Sequence, residues 1–431
     1  MKIFNKLKNL IRKILPPFLI SWYHFLLALL AAIIYCFPSY QKKLKVIGIT
    51  GTNGKSTVVK MASKILEEAG FSVAYSSSIK FKIGKKETEN VLRMTMPGRF
   101  KMQRFLRQAL NNNCQYAVLE VTSEGIKQHR HRFIDFDVVL FTNLTPEHIE
   151  AHGSFEKYRE AKGKLFKTTG NIHILNLDDK NIEYFLKFPA EKKYGYTINS
   201  ELKIKDEKIK VVKAKNCLIL DKGIKFSVNN SEINLRLLGN FNIYNALASI
   251  CVGLSQGIDL RTCKSALEKI EGIPGRMEIV ISKPFKVLVD YAFTPDALEK
   301  VYQTIKNNFG SQKMICVLGA AGGGRDKWKR PVLGKIAAKY CDNIIITNED
   351  PYNEDPMEII NQVAEGAGLK AKKILDRRKA IRQSLKEAKK GDIVVITGKG
   401  SEPCICIAGG KKIPWDDRKV AREEFKRLKR S

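Results

Sequence analysis

The sequence predicts an α/β protein with mostly parallel sheets, and three features of its 431 residues lead to that prediction. Residues 44–50 form a β-branched run that leads through a glycine-rich turn into a segment with helical spacing of its apolar residues. Further apolar runs of strand length, such as residues 116–121, alternate with helical stretches. The same alternation restarts near residue 286, which indicates a second α/β domain.

Three segments follow from this organisation. Residues 1–40 hold a basic N-terminus and a hydrophobic helix, which either associates with a membrane or docks on the core. Residues 41–273 form a central P-loop ATPase-like domain that binds ATP, and alternating residues at 201–238 predict antiparallel hairpins appended to its sheet. Residues 274–431 form a Rossmann-like α/β domain.

Composition and charge exclude some classes of protein and limit the partners that the chain could bind. Apolar residues make up 44% and charged residues 28% of the chain, so disordered and collagen-like classes are excluded. The net charge of +32 allows nucleic acid, an anionic membrane face or a phosphorylated substrate as partner, or only a lysine-rich surface. No basic patch interleaved with aromatic residues occurs, so we expect no nucleic acid partner. Nine cysteines without a CxxC pair indicate reduced thiols and no zinc site.

Residues 18–37 contain no Lys, Arg, Asp or Glu over a length that could span a bilayer. Basic residues lie on both sides of this segment, and the positive-inside rule draws both flanks to the cytoplasm. A single span cannot satisfy both flanks, whereas an in-plane or re-entrant helix can. A helix that docks on the soluble domain is the alternative, and the sequence leaves the choice open.

The glycine-rich turn is the strongest chemical motif of the chain. It comprises Gly51, Thr52, Asn53, Gly54, Lys55, Ser56 and Thr57. Such a loop holds phosphates with backbone N–H groups, while its lysine reaches the β/γ oxygens and its serine binds Mg²⁺. Position 49 is isoleucine rather than glycine, so the match to a Walker A motif is incomplete. A chance glycine turn is the alternative interpretation.

Three further residues are candidates for chemistry. Glu120 ends a buried strand, where a Walker-B-like carboxylate would hold Mg²⁺. His148 and His152 are four residues apart but lack the zincin order, so a zinc protease is not expected. Lys162 shares a helix face with Tyr158, which would let the lysine either snorkel or become desolvated and reactive.

The chain resembles the Mur ligase family, in particular its tripeptide-synthetase branch, through ten motifs spread over residues 44–431. In chain order they are GITGTNGKST, LEVTSEGI, FTNLTPEHIEAHGSFEKYREAKGKLF, GNFNIYNALASI, IPGRME, VDYAFTPDALEKV, GGGRDKWKRPVLGKIA, TNEDPYNEDP, DRRKAI and ITGKGSE. The family's usual N-terminal domain, which binds uridine diphosphate, has no counterpart among these motifs.

The resemblance implies an ADP-forming ligase of peptidoglycan biosynthesis. ATP would phosphorylate a carboxylate of a muramoyl-peptide acceptor, and an amino acid would attack the acyl phosphate to form an amide. The implied cofactors are ATP, two Mg²⁺ ions and a carbamylated lysine at Lys162. The implied partners are ATP, an amino acid and the acceptor, for a monomer in the cytoplasm that could contact the inner membrane face.

The resemblance also assigns roles to individual residues. Lys55, Lys162 and His148 would be catalytic, and the Mg²⁺ ligands would be Ser56, Glu120, His148 and Lys162. Outside the glycine loop, the nucleotide would be bound by Asn242, Asn245, Arg276, Asp290, Asp326, Lys329 and Arg330. The substrate residues would be Thr95, Thr122, Ser123, Asp350, Tyr352, Arg377 and Glu402.

Several positions depart from the family pattern. Two family histidines are replaced by Glu124 and Phe293, and the second threonine of a substrate pair is Met96. Tyr352 stands where the family's arginine reads the far carboxylate of diaminopimelate, so selection of that amino acid is weakened. Asp350 and the preceding Glu349 could instead favour an ammonium group, such as that of lysine.

Other functions remain open from the sequence. The same ligase chemistry could act on a lipid-linked or a poly-glutamyl acceptor, although VDYAFTPDAL and GKGSE favour the cell-wall branch. A basic protein that binds nucleic acid or a membrane surface is a candidate of another class, and an inactive scaffold is a third.

Overall fold

The computed structural model describes residues 16–92, 94–199, 201, 207–310 and 312–430. The predicted basic N-terminus and part of the segment at 201–238 therefore lie outside the described residues. The chain forms two compact units. The first comprises Met1–Leu144, Tyr158–Val212 and Leu247–Cys263. The second comprises Thr145–Lys157, Lys213–Ala246 and Lys264–Ser431. The boundary at residue 273 between two sequential domains stays a prediction.

The helices and strands follow in chain order. Up to residue 235 they are α1 (Pro17–Ile34), β1 (Lys45–Thr50), α2 (Lys55–Glu68), β2 (Val73–Ser76), β3 (Lys80–Ile83), β4 (Lys86–Glu89), α3 (Arg99–Asn111), β5 (Tyr116–Glu120), α4 (Ser123–Lys127), β6 (Val138–Phe141), α5 (Ile149–His152), α6 (Phe155–Lys167), β7 (Ile172–Asn176), α7 (Ile182–Leu186), β8 (Lys192–Thr197), β9 (Ile209–Leu220), β10 (Gly223–Val228) and β11 (Ser231–Leu235). The remaining elements are α8 (Phe241–Ser255), α9 (Leu260–Glu268), β12 (Glu278–Ile281), β13 (Lys286–Val289), α10 (Pro295–Phe309), β14 (Met314–Leu318), α11 (Lys329–Tyr340), β15 (Asn343–Thr347), α12 (Pro356–Ala367), β16 (Ala371–Ile374), α13 (Arg377–Glu387), β17 (Ile393–Ile396), β18 (Cys404–Ile407), β19 (Lys411–Pro414) and α14 (Asp417–Leu428).

The strands of the first unit pair in the order β8-β7-β6-β1-β5-β2-β3-β4, as part of an eleven-stranded sheet. The strands from β8 to β2 are parallel, and the hairpin of β3 and β4 continues the sheet in antiparallel pairing. Because β1 lies centrally with helices packed around it, all but its first residue are buried, as expected for a parallel strand. Ile49 pairs with Glu120 and Thr50 with Phe141, so the loops that follow β1, β5 and β6 leave the same edge.

The sheet of the second unit has the order β12-β13-β17-β14-β15-β16, and only the pairing of β12 with β13 is antiparallel. One core cluster joins this sheet to α10, α11 and α12, and another joins it to α13 and α14. Helices on both faces confirm the predicted Rossmann-like architecture. The predicted hairpins are also confirmed, since β9, β10 and β11 pair in succession in antiparallel register.

The predicted N-terminal hydrophobic helix is α1, which packs against α3. Ala28, Ala31 and Ala32 are buried, and Arg107 of α3 donates hydrogen bonds to the carbonyl of Tyr35 just beyond the helix. Among the described residues, no helix has the length and hydropathy needed to cross a membrane.

Candidate active site

The glycine loop connects β1 to α2 at the carboxyl edge of the first unit's sheet. Gly51 has φ +146°, and a Cβ atom there would lie 1.9 Å from Thr142 Oγ1, so only glycine fits. Gly54 has φ +86° and precedes the first residue of α2, which begins with Lys55. The unpaired N–H groups of a helix N-terminus favour anions, so this loop can hold phosphate.

The residues that follow β6 hold the loop in shape. Asn143 accepts a hydrogen bond from the backbone N–H of Asn53 at 2.9 Å and donates one to the Asn53 carbonyl at 3.0 Å. Thr142 Oγ1 also donates to the Asn53 carbonyl, at 2.7 Å. These bonds fix the loop backbone before a ligand arrives.

Lys55 extends over this loop. Its Nζ donates to the carbonyls of Gly51, at 3.1 Å, and Thr52, at 2.9 Å. The ammonium group is therefore close to the backbone that would surround a phosphate, and it can exchange these carbonyls for phosphate oxygens.

Ser56, Ser78 and Glu120 form a hydrogen-bonded chain of oxygen ligands. The hydroxyls of Ser56 and Ser78 lie 2.8 Å apart, and Glu120 accepts a hydrogen bond from the Ser78 backbone N–H at 3.2 Å. Ser56 and Glu120 are both buried. Mg²⁺ prefers a few hard oxygen ligands and completes its shell with phosphates and water, so this pair suits Mg²⁺ beside a nucleotide.

Lys162 lies on the buried face of α6, as the sequence predicts. Its Nζ donates to the Gly51 carbonyl at 2.8 Å and lies 4.7 Å from the ring centroid of Tyr158. The Tyr158 hydroxyl in turn lies 3.0 Å from Thr52 Oγ1. Burial, and then the nearby charge of Lys55, hold the pKa of Lys162 well below its ordinary value. A neutral amine at this position can react as a nucleophile.

The predicted substrate residues of the first unit lie around α4. Thr122 caps this helix by accepting a hydrogen bond from the Gly125 backbone N–H, and Ser123 is its buried first residue. Met96, next to Thr95, packs so closely on Gly125 that a Cβ atom there would lie 2.4 Å from its sulfur. Thr95 and Thr122 are thus on neighbouring segments, although their chain positions differ widely.

His148 belongs to the second unit, where it lies at the N-terminus of α5 with φ +58°. Asp326 accepts hydrogen bonds from the backbone N–H groups of Ile149 and Glu150, at 3.2 Å and 3.0 Å. The structure therefore brings His148 near Asp326, but within the second unit only.

Lys329 forms a buried ion pair with Glu147, with Nζ 2.7 Å from Oε1. The other carboxylate oxygen of Glu147 has no hydrogen-bond partner in the described chain. Burial raises the pKa of Glu147, although the charge of Lys329 opposes that shift. Lys329 also lies 5.1 Å from the ring centroid of Phe293, which occupies one of the positions of a family histidine.

Arg330 is fully buried, and its guanidinium is hydrogen-bonded to neighbouring residues. Its guanidinium donates to Glu354 at 2.8 Å and to Gln362 at 2.7 Å. The guanidinium also donates to the Ala321 carbonyl at 3.3 Å and so braces the glycine-rich segment before α11, while its Nε has no hydrogen-bond partner in the described chain.

The remaining predicted nucleotide residues also belong to the second unit. The Arg276 guanidinium lies 4.4 Å from the Tyr291 ring centroid. Asp290 accepts hydrogen bonds from the N–H groups of Met277 and Ala292, at 2.7 Å and 2.6 Å, and burial raises its pKa. Near the start of α8, Asn242 donates to the Leu238 carbonyl and accepts from Asn245, both at 2.8 Å.

Lys399 connects two of the predicted substrate carboxylates. Its buried ammonium donates to Asp350, at 2.8 Å, and to Glu402. Glu402 also accepts from the Tyr291 hydroxyl at 2.9 Å, and Asp350 accepts from the Cys406 backbone N–H at 2.7 Å. Both oxygens of Asp350 are therefore engaged within the protein.

Glu349 and Tyr352 flank this cluster. Glu349 is buried, one of its oxygens has no hydrogen-bond partner in the described chain, and burial raises its pKa to about 7 against the opposing charge of Lys399. Tyr352 has φ +53°, and its ring covers Gly323 so closely that a Cβ atom there would lie 2.5 Å away.

Arg377 is buried and fully engaged within the second unit. It forms a two-pronged ion pair with Asp417, at 2.9 Å and 2.7 Å, and donates to the Thr397 carbonyl at 2.8 Å. This arrangement indicates a structural brace, and the predicted contact with substrate stays a prediction.

The site residues thus fall into one group in each unit. The first unit contains Gly51–Thr57, Thr95, Glu120, Thr122, Ser123 and Lys162. The second unit contains His148, Asn242, Asn245, Arg276, Asp290, Asp326, Lys329, Arg330, Asp350, Tyr352, Arg377 and Glu402. Sequence reasoning missed Ser78, Glu147 and Lys399. The three consecutive serines that begin at the last residue of β2, a neighbour of β5, were the available signal for Ser78.

Within the described ranges, no cluster of three or more His, Cys, Asp or Glu side chains could hold a metal ion.

Comparison with known proteins identifies the family of the chain. The models of the Mur ligase middle domain and of the Mur ligase glutamate ligase domain match residues 49–253 and 275–400. The 2,6-diaminopimelate-adding UDP-N-acetylmuramoyl-L-alanyl-D-glutamate ligase of Syntrophomonas wolfei is 39% identical over 409 residues, covering 92% of this chain and 81% of that protein. A UDP-N-acetylmuramyl-tripeptide synthetase of Roseiflexus is 35% identical and covers 93% and 82%.

Solved structures give the same result. A structure of a UDP-N-acetylmuramoyl-L-alanyl-D-glutamate–2,6-diaminopimelate ligase is similar with a TM-score of 0.60 at 28% identity, covering 91% of this chain and 82% of that one. The pseudomurein peptide ligase type C of Methanothermus fervidus, at 21% identity, shares the fold with a TM-score of 0.65 and coverage of 91% and 80%. The chain therefore belongs to the Mur ligase family.

Proposed function

We propose that this protein is an ATP-dependent ligase that joins an amino acid to a muramoyl-peptide precursor of peptidoglycan. The observation that carries the proposal is the first unit's group of Lys55, Ser56 and Glu120 around a phosphate loop, with the buried amine of Lys162 hydrogen-bonded to that loop. The names of the relatives supply the substrate class.

The proposed reaction has two steps. A carboxylate oxygen of the acceptor attacks the γ-phosphorus of ATP, and ADP leaves. The amino group of the amino acid then attacks the carbonyl carbon, phosphate leaves, and the nitrogen loses a proton to give the amide. Both steps develop charge on phosphate oxygens, so positioned cations and N–H donors lower the barrier.

The loop residues act on the nucleotide. Lys55 exchanges the carbonyls of Gly51 and Thr52 for β- and γ-phosphate oxygens, and the N-terminus of α2 directs its N–H groups at the same anion. Ser56 and Glu120 would hold Mg²⁺, which would neutralise phosphate charge. His148 as a further ligand, and a second ion, belong to the same proposal.

Lys162 fits the carbamate that the resemblance implies. Carbamylation needs a neutral amine to attack carbon dioxide, and the lowered pKa of Lys162 favours that form. The carbamate would be anionic, and the nearby cation Lys55 would stabilise it electrostatically. Such an anion would supply an acidic group beside the phosphate loop, where no Asp or Glu is hydrogen-bonded to Lys162 in the described chain.

The amino-acid substrate would be selected in the second unit. Tyr352 replaces an arginine of the resemblance, so we propose a side chain without a distal carboxylate. Asp350 is already engaged by Lys399 and a backbone N–H, which leaves Glu349, with its unpartnered oxygen, as the candidate for an ammonium group.

We also propose that the enzyme works in the cytoplasm, where ATP is available, and as a monomer, because every assigned residue lies in one chain. Size measurement by light scattering tests the monomer. A larger assembly at working concentration would overturn it.

The decisive experiment measures phosphate release with ATP, Mg²⁺ and a panel of amino acids, on UDP-linked muramoyl-L-alanyl-D-glutamate. We expect release that depends on both the acceptor and one amino acid, together with an amide product by mass spectrometry. Turnover on a poly-glutamyl acceptor alone would show that the enzyme belongs to another branch of the family.

A further inference from the structure

Helix α1 is apolar on two opposite sides, and within the described part of the chain only one of them is covered. Ala28, Ala31 and Ala32 face the core and are at most 1% exposed. The opposite side forms what we call the α1 ridge, which consists of Phe18, Trp22, Leu26, Leu30, Ile33 and Ile34. These positions recur every three or four residues and therefore share one face of the helix.

The apolar side chains of the α1 ridge are unusually exposed for the surface of a protein that contacts only water. Trp22 is 61% exposed, Leu26 54% and Ile33 53%. A helix on the surface of a soluble protein normally turns charged or polar residues outward, yet residues 17–34 contain no Lys, Arg, Asp or Glu. Contiguous apolar surface of this kind marks a binding face.

Basic residues predominate among the charged residues of the helix that holds α1 in place. α3, the helix that α1 packs against, carries Arg99, Lys101, Arg104 and Arg107 and no acidic residue, and Lys101 and Arg104 are exposed. On the core side of α1, Ser21 is hydrogen-bonded to His129, whose pKa is lowered by burial and by the charges of neighbouring basic residues.

Basic residues also adjoin both ends of the helix. Lys42 and Lys43 are exposed shortly after it, although the acidic residue Asp135 is close enough for its charge to act on Tyr40. Residues 1–15, outside the described part of the chain, contain five basic and no acidic residues, with apolar residues at intervals of three or four. Basic sequences of this pattern are typical of segments that bind a membrane surface.

We propose that the α1 ridge inserts in plane into the interface of a bilayer that contains anionic lipid, while the opposite side of α1 stays docked on α3. Apolar side chains would enter the boundary between head groups and acyl chains, and Trp22 and Tyr23 suit that depth. The lysines and arginines around the ridge would contact anionic head groups. A protein partner would not require cations on the neighbouring helix and at both ends of α1, and for that reason we favour lipid.

The test is co-sedimentation of the full chain with vesicles of phosphatidylcholine alone or with added phosphatidylglycerol. We expect binding to the anionic vesicles, a blue shift of Trp22 fluorescence that Trp22→Phe removes, and loss of binding as salt concentration rises. A protein that stays in the supernatant with both vesicles overturns the proposal, and so does equal binding to both.

Substitutions test whether vesicle binding depends on the α1 ridge or on exposed apolar residues in general. Trp22→Gln, Leu26→Gln and Ile33→Gln together should weaken vesicle binding by about tenfold or more, because three apolar side chains no longer leave water. The matched control changes Leu218→Gln and Ile219→Gln, exposed apolar residues on β9, and should bind as the wild type does. Unchanged melting temperatures show that both variants fold.

A second variant addresses the charges, and a lipid-free control addresses the alternative partner. Lys101→Gln with Arg104→Gln should weaken binding to anionic vesicles and flatten its salt dependence. If the wild type instead self-associates without lipid and the ridge variant abolishes that association, the ridge is a protein interface and the proposal is wrong.

Discussion

Buried charges distinguish chemical from structural residues at the scale of single side chains. Lys399 and Arg377 are buried, but each is compensated by carboxylates, as a structural ion needs to be. Lys162 is equally buried, and its hydrogen bond goes to a neutral carbonyl. A cation without a carboxylate partner is costly in such a position, so the amine is neutral or chemically modified.

The first prediction concerns Lys162→Ala. We expect ATP-dependent phosphate release to fall by about two orders of magnitude or more, because an acidic group beside the phosphates is lost. Small carboxylates added to the assay should restore part of the activity. Lys164→Ala, an exposed change on the same helix, is the control. Full activity of the Lys162 variant would exclude the carbamate.

The second prediction concerns Lys55→Ala. The fold should persist, because Lys55 contacts carbonyls of its own loop, whereas phosphate release should be abolished. Lys64→Ala, on the exposed side of α2, should leave turnover unchanged. Turnover close to wild type in a folded Lys55 variant would remove the phosphate loop from the mechanism.

The third prediction is a pH dependence from Glu349. Burial raises its pKa from 4.5 to about 7, so the folded state retains a proton that the unfolded state has already released. Stability should fall as pH rises from about 4.5 to about 7 and stay lower above it, by up to about 3 kcal/mol.

Glu349→Gln should remove much of this pH dependence, measured as the difference in unfolding free energy between about pH 5 and about pH 8. Glu299→Gln, at a partly exposed position paired with Lys339, is the control and should keep the wild-type dependence. An unchanged difference in the Glu349 variant would refute the raised pKa.

At the scale of elements, apolar strands and long helices were predictable and polar strands were not. The predicted runs at 44–50 and 116–121 match β1 and β5 to within one residue at each end, and the helical segment predicted after the glycine-rich turn is α2, because continuous apolar or amphipathic patterns define them. The hairpin of β3 and β4 went unpredicted. Its lysine- and glutamate-rich strands are four residues long and partly or fully exposed, so pairing with β2 rather than burial defines them.

The fourth prediction tests the brace between α13 and α14. Arg377→Met leaves buried Asp417 without its ion pair, which should destabilise the fold by about 3 to 5 kcal/mol in denaturant unfolding. Arg378→Met, at a half-exposed pair with Glu423, should cost far less. If Arg377→Met instead keeps wild-type stability and raises only the KM for the amino acid, the substrate role is correct.

At the scale of the whole molecule, the order of motifs predicted the architecture, while the pairing of distant residues was not predictable. Glu120 and Ser78 are 42 residues apart, and Glu147 and Lys329 are 182 apart. Such contacts follow from sheet topology and tertiary packing, which no local pattern encodes. The assignment of His148 to the second unit likewise depends on which contacts its segment makes.

The last prediction follows from the two units. Eight strands pair within the first unit, and the second contains a six-stranded sheet with buried clusters on both faces, so we expect calorimetry to resolve two unfolding transitions.

A ligand stabilises the part of a protein that binds it, in proportion to RT ln(1 + [L]/Kd). ATP with Mg²⁺ should therefore raise the midpoint temperature of the first unit's unfolding transition, because that unit holds Lys55 and Ser56. Lys55→Ala should prevent this increase. At about pH 8, Glu349→Gln should shift the midpoint temperature of the second unit's transition. If all of these changes shift one common transition equally, the two units unfold as a single cooperative body.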